Sequence, residues 1–455
     1  MNCLLKASTT MQYNKTGKIY NWKLLGFVAF LLILNVYPLA QANNSDDRVV
    51  VLTSYAEEVS TRFQAAFERA YPGKRVEILW RHGEDAYYHF IQTGGAGIDV
   101  YWTPAPGNFA MLRRDNRLAR LDLERKALPR DIGGVLISDP DDYYAAFELA
   151  GYGIAYNPDA VKALGLLPPQ DWADLAAIPY ANKVQMPIPG SVGFAPVLYE
   201  AILQGYGWEK GWAILSEIAG NAVFNRTSLP DGKDPVATGE IAARMTMDFF
   251  VSVASGTNGS GKISFSYPPR TVYNPAHIAI FAKAPHPETA REFVNFTLSE
   301  EGQKLLLHPD IHRLPVRPAL YRALPDLAVN PFTRDSFGYN ASVGRERRGL
   351  VSALFDITLV RFHHRQVALW KTLHMAENAG LGAEPDVQRA RELLTTPLLS
   401  DSEQKDSVLR QTFAFTEKAE KSTSATRTQI ENQWITDLTA RMAEARQLLE
   451  PYKNR

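Results

Sequence analysis

The sequence predicts an α/β protein with a parallel sheet covered by helices, followed by an added all-helical segment. Three observations carry that reading. Short apolar runs bounded by turn residues alternate with helix-length amphipathic stretches through the first part of the chain. The opening run is continuously apolar rather than alternating, which suits a strand covered on both faces. From about residue 343 onward the strand signals cease and only helical periodicity remains.

The elements follow in order. Residues 48–53 form the first strand, with Val49, Val50 and Val51 consecutive. A helix over 56–70 places Val59, Phe63, Ala66 and Phe67 on one face, and Tyr71-Pro72-Gly73 ends it. Residues 75–80 make a second strand, 85–92 a helix, and 98–102 a third strand after Thr93-Gly94-Gly95. A long extended segment over 143–157 contains Gly151 and Gly153, whose backbone freedom suits a hinge or a close backbone contact. A strand at 183–187 and helices at 194–205 and 209–219 come next.

Residues 277–282 form a strand, and Pro285 and Pro287 a turn. A helix with Ala290, Phe293, Val294 and Thr297 on one face follows. Ser299 caps the next helix, with Glu300 and Glu301 against its N-terminal dipole. Within 343–455, residues 345–378 read as one helical stretch through Leu350, Leu354, Ile357, Phe362, Leu369 and Leu373, ended by Gly380. Residues 402–452 form a second, with Phe413, Ile430, Trp434, Leu438 and Met442 along one side. This addition is either a buttress packed on the rest or a surface for a partner.

The N-terminal segment predicts export. Lys6, Lys15, Lys18 and Lys23 precede the apolar run 24–34, and Ala40-Gln41-Ala42 supplies small residues for cleavage, so residues 1–42 read as a secretory signal peptide. The competing form is an uncleaved anchor over 24–42, although Asn35 and Pro38 interrupt it and a spanning helix wants about 20 mostly apolar residues. The single cysteine, Cys3, lies in that segment, so the exported chain has no disulfide, thiolate nucleophile or cysteine metal site. Stability must come from packing, which 455 residues at 45% hydrophobic composition can supply in two or three cores. Basic and acidic residues number 49 each, and loss of the four leader lysines leaves a slight acidic excess. That excludes a basic nucleic-acid-binding surface.

The string P-x-x-A-x-x-F-x-x-F-x-x-S-x-x-G-Q over Pro287 to Gln303 resembles the bacterial extracellular solute-binding proteins of the periplasmic-binding-protein type II fold. The resemblance implies two lobes around a cleft: lobe one over 43–150 and 274–342, lobe two over 151–273, and the helical extension over 343–455. Arg348-Gly-Leu-Val-Ser-Ala-Leu-Phe-Asp-Ile, Ala368-Leu369-Trp370-Lys371, Asp171-Trp172-Ala173-Asp174-Leu175 and Gly207-Trp208-x-x-Gly211-Trp212-Ala213 are similar to the branch of that family that regulates phosphoglycerate uptake. That branch implies a periplasmic protein partnering a membrane sensor kinase or regulatory protein. The family at large implies delivery of a solute to an ABC permease.

The same resemblance places the ligand at strand ends and helix N-termini, where free N–H groups and the helix dipole favour an anion. Three loops qualify: Thr53-Ser54-Tyr55, with two hydroxyls in front of the first helix; Arg81 to Glu84 after the second strand; and Gly190 to Gly193, with Ser191 between. The alternative for each loop taken alone is an ordinary helix cap. Arg226 offers a two-pronged grip on phosphate or carboxylate, or a surface ion pair. Asp248 and Tyr267 are further cleft residues. Iron-binding relatives carry paired tyrosines where this chain has Phe249 and Phe250, which donate no oxygen to a metal. The expected ligand is therefore a small anionic metabolite, with no metal and no cofactor. His363-His364 point about 100° apart on a helix, and neither G-x-S-x-G nor H-E-x-x-H occurs. A secreted hydrolase would need a base–nucleophile pair that the spacing does not offer.

Overall fold

The computed structural model describes residues 47–227, 233–251, 263–309, 311–323, 329–334, 337–414 and 421–453, without the side chains of 83, 84, 125 and 421–424. The leader and the glycine-rich turn at 256–261 lie outside the described residues.

The first half of lobe one alternates strand and helix: β1 (Arg48–Thr53), α1 (Glu57–Ala70), β2 (Arg75–Trp80), α2 (Gly83–Thr93), β3 (Val100–Thr103) and α3 (Pro106–Arg114). A small hairpin, β4 (Asp131–Ile132) with β5 (Val135–Leu136), precedes the long strand β6 (Ala145–Tyr156). Lobe two holds α4 (Pro158–Ala163), β7 (Val184–Pro187), α5 (Ala195–Tyr206), α6 (Trp208–Asn221), β8 (Ala222–Asn225), β9 (Ala243–Met247) and β10 (Ser264–Ser266). The chain returns through β11 (Tyr273–Ile280), α7 (Pro287–Thr297), α8 (Glu300–Leu305), β12 (Leu314–Pro315) and α9 (Pro318–Ala323). Ser299 caps α8 as its sequence suggests, its hydroxyl accepting from Gly302 N–H at 3.1 Å.

The strand order is β2-β1-β3-β11-β6-β9-β7-β8, with β10 and β12 also on β6. β1, β2 and β3 run parallel, as do β7, β8 and β9. Strand β6 belongs to both halves. Its residues 145–151 pair antiparallel with β11, and 152–156 pair with β9. The hand-over falls at Gly151, which is opposite Tyr273, while its neighbour Tyr152 is opposite Met247. Every residue of β6 except Tyr156 is buried, so its polar backbone is satisfied on both edges by strands.

Lobe one is filled by Trp102, Phe63, Phe147 and Phe293, whose rings meet edge-on at 4.9–6.1 Å. A second small cluster stacks Phe90 on Phe281 at 3.9 Å on the other face. The lobe-two core is larger because it continues into the C-terminal helices α10 (Ala341–Phe355), α11 (His363–Ala376), α12 (Pro385–Thr395), α13 (Ser407–Thr412) and α14 (Lys421–Leu449). Tyr199 stacks on Phe355 at 4.4 Å, and Trp208 Nε1 donates to Leu399 O at 2.7 Å. Gly220 lets α6 lie against α11: a Cβ there would sit 2.7 Å from Trp370 Cγ. The extension is thus a buttress continuous with one lobe.

Two details of that extension differ from the periodicity. The single helix expected over 345–378 is broken by a π-helical turn at Asp356–Val360, after which Phe362 leaves helical geometry at φ −115. A π turn admits one extra residue, which rotates the apolar face without interrupting it, so the pattern reads through. Phe413 lies beyond the end of α13 rather than on the long helix, and reaches its stripe by stacking on Trp434 at 5.0 Å. Helix α12 was not anticipated; Pro385 at its first turn is its one clear start signal.

Candidate functional site

The carboxyl ends of the parallel strands set the lobe-one wall. Thr53 is fully buried, and its hydroxyl accepts from Tyr55 N–H at 3.1 Å. Tyr55 also turns inward, 4.8 Å from the Trp102 ring, and burial, with Glu148 nearby, holds its phenol well above the usual range. Ser54 is the hydroxyl of this loop left half-buried, and it bonds the Thr103 hydroxyl at the end of β3. Arg81 is partly exposed, with its N–H on Thr53 O at 2.9 Å and Nη1 on Trp80 O at 2.7 Å. Beside it Trp80 is 50% exposed. Glu84 lies in the first turn of α2, and its side chain is outside the described residues.

On lobe two, Ser191 and Gly193 are exposed in the loop between β7 and α5. The loop is pinned by Ser191 N–H and Val192 N–H on Ile188 O, at 3.0 and 2.8 Å. Phe194 precedes α5 without a side-chain cap. A Cβ built on Gly190 or Gly193 meets nothing within 4 Å, and neither residue has the left-handed φ that demands glycine. Arg226 follows β8, exposed, next to Asn225, whose carbonyl accepts from Ile188 N–H at 2.9 Å. The structure therefore brings Ser191, Gly193 and Arg226 to the ends of neighbouring parallel strands.

Between the lobes, Asp248 is turned to the hinge. Its Oδ2 accepts from Gly151 N–H at 2.7 Å and from the Tyr267 hydroxyl at 3.0 Å, and its Oδ1 from Phe249 N–H at 2.7 Å. Burial pushes its carboxyl up to about 6, against the lowering effect of those donors and of Arg313. Tyr267 packs across Gly151, where a Cβ would be 2.5 Å from its ring. These two residues thus join one crossover to the other, and three of the carboxylate's lone-pair positions are taken by the protein itself.

Sequence reasoning missed Arg313. Its guanidinium bonds buried Glu148 on β6 and lies 4.0 Å over the Phe249 ring of lobe two and 5.6 Å from that of Tyr55 in lobe one. Burial raises the Glu148 carboxyl, and Arg313 opposes that rise. The partners lie 165 positions apart, and His312 before Arg313 holds φ 47, a left-handed value that histidine adopts more readily than most residues.

A strand shared by two α/β sheets, with polar loops at the strand ends of both, defines the two-lobed architecture of a periplasmic-binding-protein type II fold. The chain belongs to the bacterial extracellular solute-binding proteins, a family whose pattern matches residues 52–304. Membership makes it a periplasmic or extracellular binding protein rather than an enzyme. Among its relatives is the phosphoglycerate transport regulatory protein PgtC of Salmonella typhimurium, 27% identical over 304 residues, covering 66% of this chain and 72% of that one. The fold is similar to the Bordetella ferric binding protein (TM-score 0.54, 18% identity, 68% of this chain and 98% of that one). It is also similar to iron-bound HitA from Pseudomonas aeruginosa (TM-score 0.51, 19% identity, 63% and 91%).

Proposed function

We propose that the protein captures a small anionic metabolite of the phosphoglycerate kind by hinged closure of its lobes, and reports its occupancy to a membrane regulatory partner. The observation that carries the anion is the lobe-two loop. Gly190 and Gly193, exposed and not required as glycines by the fold, leave the backbone before α5 open to close approach. The Ser191, Val192 and Ala195 N–H groups are bonded within the loop, and the Ser191 hydroxyl and the exposed Arg226 stand beside it. Ser54 and Arg81 face the ligand from lobe one; closure excludes water and strengthens each bond. The likeness to PgtC supports the regulatory role, because it extends the reading from a general capture fold to a regulator of phosphoglycerate transport.

A second reading is the binding subunit of an ABC transporter. The family pattern supports it, since residues 52–304 end before the helical extension. Titration calorimetry of the exported protein with 3-phosphoglycerate and phosphoenolpyruvate tests the anion site. Binding that weakens in both Ser191→Ala and Arg226→Ala is expected; heat with sugars or amines alone would overturn the anionic ligand. Loss of uptake in a strain that lacks the protein but expresses the permease constitutively would favour the transport subunit.

A further inference from the structure

The chain crosses between the lobes three times, and the third crossing leads into the extension. The first is β6 and the second the segment between β10 and β11. After β12, Val329 and Phe332 pack on the lobe-one core, with Phe332 6.0 Å from the Tyr321 ring. Phe337 and Tyr339 pack on the lobe-two core. Asn340 exchanges two bonds with Gln204 of α5, at 2.7 and 3.0 Å, and its side chain caps α10.

Arg334 stands between these anchorages. Its Nη2 donates to Tyr267 O at 2.9 Å and its Nη1 to Pro268 O at 3.2 Å, both on the second crossing. The Tyr267 hydroxyl bonds Asp248, which in turn holds the Gly151 N–H on the first. One bonded chain therefore runs from the hinge point of β6 through Asp248 and Tyr267 to Arg334, and all three crossings meet in it. A carbonyl pair gripped by one guanidinium fixes position and direction together.

We propose that Arg334 is a positioning residue that couples the hinge to the C-terminal helices, so that rotation of the lobes is delivered to α10. The inference rests on the hinged-closure reading but not on the ligand, and it names the route by which occupancy reaches the extension. A link of this kind needs an element that both ends bias, and α10 is that element: its N-cap Asn340 is bonded to Gln204 and its middle is held to lobe two through Arg347.

The test needs no ligand. Gly151→Ala perturbs the hinge directly, because the new Cβ collides with the Tyr267 ring. Hydrogen exchange would be followed in peptides over 264–273 and 337–350, in the wild type, Gly151→Ala, Arg334→Gln and the double variant. The expected result is faster exchange over both peptides in Gly151→Ala, by about tenfold, the scale of coupling between contacting residues. In the Arg334→Gln background the same change should still alter 264–273 but add nothing over 337–350. An equal response of 337–350 in both backgrounds, or none in either, would overturn the coupling. If Gly151→Ala does not fold, Tyr267→Phe provides a milder perturbation by removing the bond to Asp248, with the same outcomes. Calorimetry with 3-phosphoglycerate then reads the ligand separately.

Discussion

Arg347 and Glu200 form a buried ion pair between α10 of the extension and α5 of lobe two, with Nη2 on Oε1 at 2.7 Å and Nε 3.0 Å from each carboxylate oxygen. Gln404 accepts from Nη1 at 2.9 Å, and the guanidinium lies 4.9 Å from the Trp208 ring. The pair explains why the extension cannot be treated as a detachable arm. Removing the arginine strands a carboxylate that is 2% exposed.

Arg347→Met should therefore lower stability by roughly 3–5 kcal/mol, while Arg347→Met with Glu200→Leu should recover much of that loss, because an apolar pair avoids the buried charge. Urea midpoints of the two variants check it; equal losses would show that packing rather than the stranded carboxylate sets the cost. A chain ending at Asn340 should fail to fold in lobe two, since it also uncovers Tyr199 and Trp208.

Asp248 should give the protein an unusual pH dependence. Its carboxyl is raised from 3.8 to about 6, so the native state binds a proton that the unfolded chain has released over that window. The stability this group contributes is fully present below about 4 and is lost as pH rises through about 6, amounting to roughly 2–3 kcal/mol. Asp248→Asn should abolish that slope. Between pH 4 and 7 the urea midpoint of the wild type should therefore fall relative to that of the variant; parallel curves would show that the carboxyl titrates normally.

His277 should act in the opposite sense. It is buried in β11 with Nε2 2.8 Å from Ile137 O, and burial lowers its imidazole from 6.5 to about 4. The neutral ring's stability is fully present above about 6.5 and is lost as pH falls through about 4, roughly 3 kcal/mol in all. His277→Gln keeps a donor for the carbonyl and should flatten the acid limb of the stability curve. Unfolding monitored by near-ultraviolet circular dichroism from pH 7 to 4 reads this.

The elements that were legible in the sequence are those whose signals are local. The valines of β1, the face of α1 and the Ser299 cap are each set within a few residues, and the structure has them. The repeat through Leu350 and Leu369 was legible as helix, but the π turn between them was not, because an inserted residue shifts the face without removing its apolar character. The loops after β1, β2 and β7 could be singled out as candidates because they follow strands whose own signals are local, with the family resemblance pointing to strand ends. What each side chain does there could not: Thr53 and Ser54 are neighbours of like chemistry, and only the packing on Trp102 and Thr103 decides which is buried. Arg313, Glu148 and the link from Asp248 to Gly151 depend on long-range pairing alone.

Gly193→Ala separates folding from binding most cleanly. The residue is exposed, its backbone is not left-handed, and an added Cβ meets no protein atom within 4 Å. The fold should accept alanine, with a gain of about 0.4–1 kcal/mol from the reduced freedom of the unfolded chain. If the amides before α5 receive an anion, the same methyl group stands where the ligand must approach. Thermal unfolding should then show an unchanged or slightly higher midpoint without ligand. The further rise produced by 3-phosphoglycerate, about 2.7 kcal/mol at a hundredfold excess over its dissociation constant in the wild type, should shrink or vanish. A variant that is stabilised by 3-phosphoglycerate as fully as the wild type would move the anion away from this loop and leave Arg226 without its neighbour in the site.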